Sequence, residues 1–331
     1  MHKERFKALV AKIVDEKAEY GIDELSFDDL PKNEVLIKVH YSALNYKDAL
    51  SATGHRGVTR NYPHTPGIDA SGVVLESSSD KFVAGQEVLV TSYDLGMNTS
   101  GGFAEFVSVP ADWVVPLPEG LSLREAMMLG TAGFTAAQSV DALIRNGISN
   151  PVLVTGASGG VGSIAVALLA ALGYEVIAST GSSNAHAMLK QLGAKEIIDR
   201  NELSEKNKRP VLKTCFGAAI DTVGGTTLEN IVKQLKIDCS VAACGLVGGD
   251  SLSLTVYPFI LRGVKLLGIS SENFAMDKRK LIWEHLATDW KVDLEVLSTE
   301  VILPELPEYI PKILAGQTQG HILVRVADSD S

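Results

Sequence analysis

Residues 151–194 hold the plainest alternation of apolar and polar text in the chain. An apolar run, Val152-Leu153-Val154, breaks into Thr155-Gly156-Ala157-Ser158-Gly159-Gly160-Val161-Gly162 and resumes through Ile164-Ala165-Val166-Ala167-Leu168-Leu169. The pattern predicts a strand, a glycine turn and a helix, and after Gly173 a second strand over 174–179. Further short apolar runs at 196–198, 217–221, 240–244 and 265–269 alternate with helical text. Strands joined by crossover helices predict an α/β fold with a doubly wound parallel sheet of about six strands. Residues before about 120 differ. Alternating or β-branched runs at 6–14, 34–44, 68–76, 86–91 and 103–110 are separated by Gly, Pro and Asp, which predicts a twisted, β-barrel-type domain.

Punctuation places the boundaries. Pro116 to Gly120 closes the β-rich part, and Ser122-Leu123-Arg124-Glu125 is a capping box that opens a helix. After Ser271, helix-like text at 276–289 leads to short strands including 322–326, with too little apolar material for a core of its own. The expected division is therefore 1–121 with 271–331, and 122–270. The loop 52–66, with Gly54, Gly57, Pro63 and Pro66, has the irregular composition of a substrate wall.

The glycine turn carries candidate chemistry. Gly156, Gly159 and Gly162 stand where a dinucleotide fold needs a tight turn, a close approach to pyrophosphate and a close helix–strand crossing, with Ala157 at the usual middle glycine. Backbone N–H groups of Ser158, Gly159, Gly160, Val161 and Gly162 at the helix start would face the phosphates. A site for NAD usually places Asp or Glu after the second strand to hold the ribose hydroxyls. This chain has Thr180, Gly181, Ser182 and Ser183 there, and Arg200 follows the third strand. Hydroxyls, backbone N–H groups and a guanidinium suit a 2′-phosphate, so NADPH is the expected cofactor.

Composition narrows the function classes. Thirty basic residues against 40 acidic ones give a net charge of −10, and no basic run is present, so neither nucleic acid nor an anionic membrane is an expected partner. The charged start Met1-His2-Lys3-Glu4-Arg5 lacks a signal peptide's apolar segment, and no apolar stretch has the length of a membrane span, so a cytoplasmic location is expected. Cys215, Cys239 and Cys244 form neither a Cys-x-x-Cys pair nor a disulfide framework.

Taken in order, Asn45-Tyr46-Lys47-Asp48-Ala49-Leu50, Pro66-Gly67-Ile68-Asp69-Ala70-Ser71-Gly72, Gly130-Thr131-Ala132-Gly133-Phe134-Thr135-Ala136, the glycine turn, Asp221-Thr222-Val223-Gly224 and Cys244-Gly245-Leu246-Val247-Gly248-Gly249 resemble the medium-chain dehydrogenases/reductases. Within that family the chain is similar to the zinc-independent quinone oxidoreductase branch, most of all to its acryloyl-CoA reductases. The resemblance implies a GroES-like domain beside a Rossmann domain, and NADPH-dependent reduction of an activated double bond. Reduction of quinones, or NADPH binding without turnover, are the other activities it implies. Where zinc enzymes of the family place a cysteine and a His-Glu pair, this chain has Asn45, and Ile68 with Asp69, so no metal site is expected. His40, His55 and His64 also lack ligand spacing.

The resemblance further implies that Tyr46 donates a proton or anchors the cofactor, that Asn45 adds an amide N–H for a developing enolate, and that Asp48 orients neighbouring groups. Thr131, Leu246, Ile260 and Ser271 join the implied cofactor contacts. Two positions depart from the subfamily: Ser183 stands where an arginine is frequent, and Gly320-His321 where Gly-Arg or Gly-Lys is usual. A small-molecule substrate is implied, and so is a homodimer joined along the sheet edge at 265–269.

Overall fold

The computed structural model describes residues 5–326. Residues 1–4, on which the reading of the N-terminal end rests in part, and 327–331 lie outside the described residues. The chain forms two compact units, one of Met1–Thr131, Ser271–Ala287 and Ser298–Ser331, the other of Ala132–Ser270 and Thr288–Leu297.

In the second unit the strands lie in the order Glu196–Asp199, Val176–Thr180, Val152–Thr155, Ala218–Asp221, Ser240–Ala243, Lys265–Gly268, each parallel to its neighbours. This is the doubly wound sheet that the apolar runs predict. Its two central strands are buried throughout, the reason they read as unbroken apolar text rather than as alternation. The strand order reverses beside Val152–Thr155, where such sheets bind ligands at the carboxyl ends of their strands. There the helix Gly160–Ala171 leans on the turn before it. A Cβ at Gly162 would stand 2.3 Å from the carbonyl oxygen of Gly156, so only glycine permits this crossing.

The first unit is built on a sheet in the order Ser298–Ile302, His321–Arg325, Val35–Leu44, Asp69–Ser77, Glu87–Thr91, Val115–Pro116, with Phe106–Val109 also paired to Val35–Leu44. The C-terminal strand thus returns to this unit, as its small apolar content implies. Leu9, Val35, Ile37, Val39, Val90 and Phe103 are among the core residues. One strand, Lys17–Ser26, escapes sequence reading. It pairs with Arg5–Val14 through a tight turn with Asp15 and Glu16 at φ 48° and 62°. None of its residues is buried, so it carries no apolar alternation to find.

Two boundaries differ from expectation, each for a local reason. The capping box forms as read, with Glu125 Oε2 accepting from the Ser122 N–H at 2.8 Å. The helix it opens, Leu123–Asn146, however breaks at Gly130 (φ 52°, ψ −155°), and the first unit runs on to Thr131 rather than ending at 121. Thr288–Leu297 belongs to the second unit, where Trp290, Leu294 and Leu297 are buried, and Glu295–Leu297 packs on the helix Gly160–Ala171. Among the described residues no helix is long and apolar enough to cross a membrane.

Candidate active site

In the second unit a cleft of about 410 Å³ opens at the carboxyl ends of the strands. Thr155, Gly156 and Ser158 line it from the first strand of the glycine unit, Ser179, Thr180 and Gly181 from the second, and Arg200, Asn201 and Ser204 from beyond the third. Val223, Thr226, Thr227, Val247 and Gly248 close the other side. Among the described residues no carboxylate lines it. Thr180 Oγ1 donates to Ser158 Oγ at 3.0 Å and accepts from the Ser182 N–H at 3.1 Å, which fixes the hydroxyl-rich rim. Arg200 lies across Gly181, where a Cβ would stand 2.6 Å from its Nε. That guanidinium is exposed and has no carboxylate partner among the described residues.

Of the residues expected at the cofactor, the structure therefore brings Ser158, Thr180, Gly181 and Arg200 together here. Gly159, Gly160, Val161 and Gly162 form the start of the adjoining helix, while Ser183 begins a short turn and does not line the cleft. Leu246 and Ile260, 67% and 70% exposed, also lie outside its lining. Asn201, Ser204, Thr226 and Thr227 are lining residues that no sequence pattern marks, since polar residues after strands are ordinary loop text. Below the cleft, Thr155 Oγ1 donates to Asp221 Oδ1 at 2.6 Å, which couples the two central strands. Burial pushes the Asp221 carboxyl up and the Cys244 thiol up to about 12.

In the first unit, the buried carboxylates Asp48 and Asp69 meet the half-buried Asn45 and Thr131 in one node. Just past the break at Gly130, the Thr131 N–H donates to both oxygens of Asp69, at 3.0 and 2.9 Å. Thr131 Oγ1 donates to Asp69 Oδ1 at 2.6 Å, and Asn45 Nδ2 donates to Asp69 Oδ2 at 2.8 Å. Asn45 Nδ2 also reaches Asp48 Oδ2 and the Ala43 carbonyl, both at 3.3 Å. Its amide hydrogens are thus taken up inside the protein, and the enolate contact expected of Asn45 is not available; Asn45 instead holds the two carboxylates in place. Asp48 accepts from the backbone N–H groups of Asn45 and Ile68, both at 2.8 Å.

Asp69 stands inside the motif Pro66–Gly72, where nothing local marks a role for it. Its burial in the strand Asp69–Ser77 and its partners across the helix break are tertiary facts. Burial raises its pKa, while the donors of Thr131 and Asn45 and the charge of His321 pull it back. His321 is itself buried, with Nδ1 donating to the Met128 carbonyl at 2.9 Å and Nε2 unpartnered, so it offers no contact to an acidic substrate tail. Tyr46 stands at the start of the helix Tyr46–Ala52, 45% exposed, with no hydrogen-bond partner for its hydroxyl among the described residues. Ser271 is held by its carbonyl, which accepts from Arg279 Nη2 at 2.6 Å.

Burial first, and then the charge of Asp69, raise the Asp48 carboxyl from 3.8 to about 7. The folded state then binds more protons than the unfolded chain between those values, so this group's contribution to stability is largest below pH 4 and is lost as pH rises through 7. Urea unfolding of the wild type and Asp48→Asn should show a stability difference that shrinks from pH 4 to 7 and is flat above about pH 8. A difference independent of pH would contradict this.

The chain matches two family models, the alcohol dehydrogenase GroES-like domain over residues 31–119 and the zinc-binding dehydrogenase domain over residues 160–287. It is 46% identical over 326 residues to the putative quinone oxidoreductase YhfP of Bacillus subtilis, covering 97% of this chain and 99% of that one. It is 45% identical to the acrylyl-CoA reductase AcuI of Ruegeria pomeroyi, with the same coverage. Among solved structures, the YhdH oxidoreductase of Salmonella enterica in complex with NADP superposes with a TM-score of 0.92 at 43% identity, covering 97% of this chain and 100% of that one. The B. subtilis YhfP structure, which holds NAD, gives 0.95 at 46% identity, with 98% and 100% covered. The residues here do not fit the zinc ion in the second family model's description. Among the described residues no three His, Cys, Asp or Glu side chains converge, and the carboxylate of Asp69 is engaged by Thr131 and Asn45.

Proposed function

Because the chain belongs to the medium-chain dehydrogenase/reductase family, in the branch of the quinone oxidoreductases and acrylyl-CoA reductases, we propose that it reduces an activated carbon–carbon double bond with NADPH and without zinc. The substrate is an enoyl thioester of the acryloyl-CoA kind. One observation carries this reading. The place of zinc ligands in the family is a saturated hydrogen-bond node of Asn45, Asp48, Asp69 and Thr131, and the unpartnered hydroxyl of Tyr46 follows it directly in the chain. Alcohol oxidation in this family needs a Lewis acid at that place, whereas conjugate reduction needs only orientation and a hydrogen-bond donor.

The cleft residues fit NADPH. Arg200, exposed at the hydroxyl-bearing rim, suits the 2′-phosphate, and the start of the helix Gly160–Ala171 suits the pyrophosphate. Bound there, NADPH supplies hydride to the carbon β to the carbonyl. Negative charge would then gather on the carbonyl oxygen, where the Tyr46 O–H stabilises it, and the same O–H would deliver the proton that the α carbon takes up, to be replaced from solvent. Asn45 and Asp48 hold the start of the Tyr46 helix; Asp69 holds Thr131. Side-by-side NADPH oxidation with acryloyl-CoA, an enone and a quinone tests the reading. Preference for the quinone would assign the chain to the other activity of its branch, and no oxidation above background would remove both.

NADPH should bind at least about tenfold more tightly than NADH, a difference of roughly 1.4 kcal/mol, and Arg200→Ala should shrink that ratio. Equal dissociation constants in the wild type, read by cofactor fluorescence, would contradict the assignment of the rim. A homodimer through the edge strand Lys265–Gly268 is part of the same proposal. The exposed Leu246, Val256, Ile260 and Leu261, on the segment between Ser240–Ala243 and the edge strand, support it. Light scattering at the monomer mass of 35.3 kDa would contradict it.

A further inference from the structure

Arg279 lies in the helix Met276–Ala287 and is fully buried. Its guanidinium binds two separate pieces of backbone in the first unit. Nη1 donates to the Thr91 carbonyl at 3.1 Å and to Thr91 Oγ1 at 3.0 Å, and Nη2 donates to the carbonyls of Ser271 at 2.6 Å and Glu272 at 3.4 Å. Its Cζ sits 4.5 Å over the Tyr93 ring, which stacks on Trp113 with centroids 5.5 Å apart and planes 3° off parallel. The planar fork of arginine suits this double task, and a lysine would replace it with a single point charge.

What lies between these anchors is strained. Ser92 and Tyr93 take φ of 66° and 53°, the left-handed region that residues with a Cβ rarely adopt. The pair is pinned on each side: Thr91 by Nη1, the Tyr93 ring by the cation above it, and the Tyr93 N–H by the Glu272 carbonyl at 3.2 Å. The Ser92 N–H donates to the Ile68 carbonyl at 2.8 Å. Strain of this sort persists only where surroundings impose it, and it gathers at functional sites. Here its product is the position of one hydroxyl. Ser92 Oγ lies 3.0 Å from Thr131 Oγ1, and since Thr131 gives its own proton to Asp69, Ser92 is the donor of that pair. Ser92, Thr131 and Asp69 form a chain in which each bond strengthens the next.

We infer that Arg279 is a positioning residue: by clamping the strained Ser92–Tyr93 turn to the Ser271–Glu272 segment, it sets the Ser92 hydroxyl that fixes Thr131 against Asp69. The inference rests on the reading of this node as the site of reduction.

A double-mutant cycle in the full-length protein tests it, read on whichever of the three acceptors the wild type reduces, so that the substrate assignment and the role of Arg279 fail separately. Ser92→Ala should lower kcat about 3- to 10-fold, the net worth of one hydrogen bond, with KM and the NADPH dissociation constant within about twofold. Arg279→Met should lower kcat at least as much, and Arg279→Lys should recover part of the loss. In the double variant Ser92→Ala with Arg279→Met, kcat should be no lower than in Arg279→Met alone, because the clamp has nothing left to position. Where Arg279→Met does not fold, Arg279→Lys takes its place in the cycle. Wild-type kcat in Ser92→Ala, or losses that multiply in the double variant, would overturn the inference.

Discussion

Tyr46→Phe should lower kcat by about 10²–10⁴, the usual worth of one positioned proton donor, while the NADPH dissociation constant stays within about threefold. The expectation follows from what the hydroxyl lacks in the free protein. It has no hydrogen-bond partner among the described residues and is half exposed, so its removal leaves no buried group unsatisfied and costs little stability. Only a substrate oxygen that gains charge during the reaction would miss it, and an interaction made in the transition state alone appears in kcat rather than in KM. A quinone, which needs no proton delivered to carbon, should lose less than an enoyl thioester. The opposite pattern, weaker NADPH binding with kcat spared at saturating cofactor and equal losses on both substrates, would make Tyr46 part of the cofactor site.

Asp69→Ala should cost roughly 2–4 kcal/mol of stability and most of the activity, because it strips the buried acceptor from three part-buried donors at once. The Thr131 N–H, the Thr131 hydroxyl and the Asn45 amide all point at this carboxylate. Asp69→Asn should fall between wild type and Asp69→Ala, since one oxygen still accepts while the new amide faces donors. Chemical unfolding followed by near-ultraviolet circular dichroism measures this, and an Asp69→Ala protein within about 1 kcal/mol of wild type would contradict the role of Asp69 as the node's acceptor.

The two cases also mark where sequence stops being readable. The six parallel strands follow directly from apolar runs, because burial on both faces leaves no room for polar residues. The cleft at their carboxyl ends follows from topology, and four of its residues, Ser158, Thr180, Gly181 and Arg200, stand where strand ends place them. Leu246 and Ile260, implied as cofactor contacts by resemblance alone, are both exposed and lie outside that cleft's lining. The strand Lys17–Ser26 is held by pairing and a turn rather than by a buried face, so its text looks like any charged loop. Asp69 shows the deeper limit. Its neighbours in sequence are apolar or small, and only the return of a helix broken at Gly130 brings Thr131 to it, over 62 residues of separation. Arg279 and Thr91 meet across 188 residues, and no local pattern announces that contact.

The most direct test of the account is the product itself. Acryloyl-CoA incubated with the protein and NADPH deuterated on the transferring face of its nicotinamide should yield propionyl-CoA with deuterium on the β carbon and a solvent-derived hydrogen on the α carbon, and a chelator should leave the rate unchanged. Unchanged acryloyl-CoA, with NADPH consumed only when a quinone is present, would contradict it.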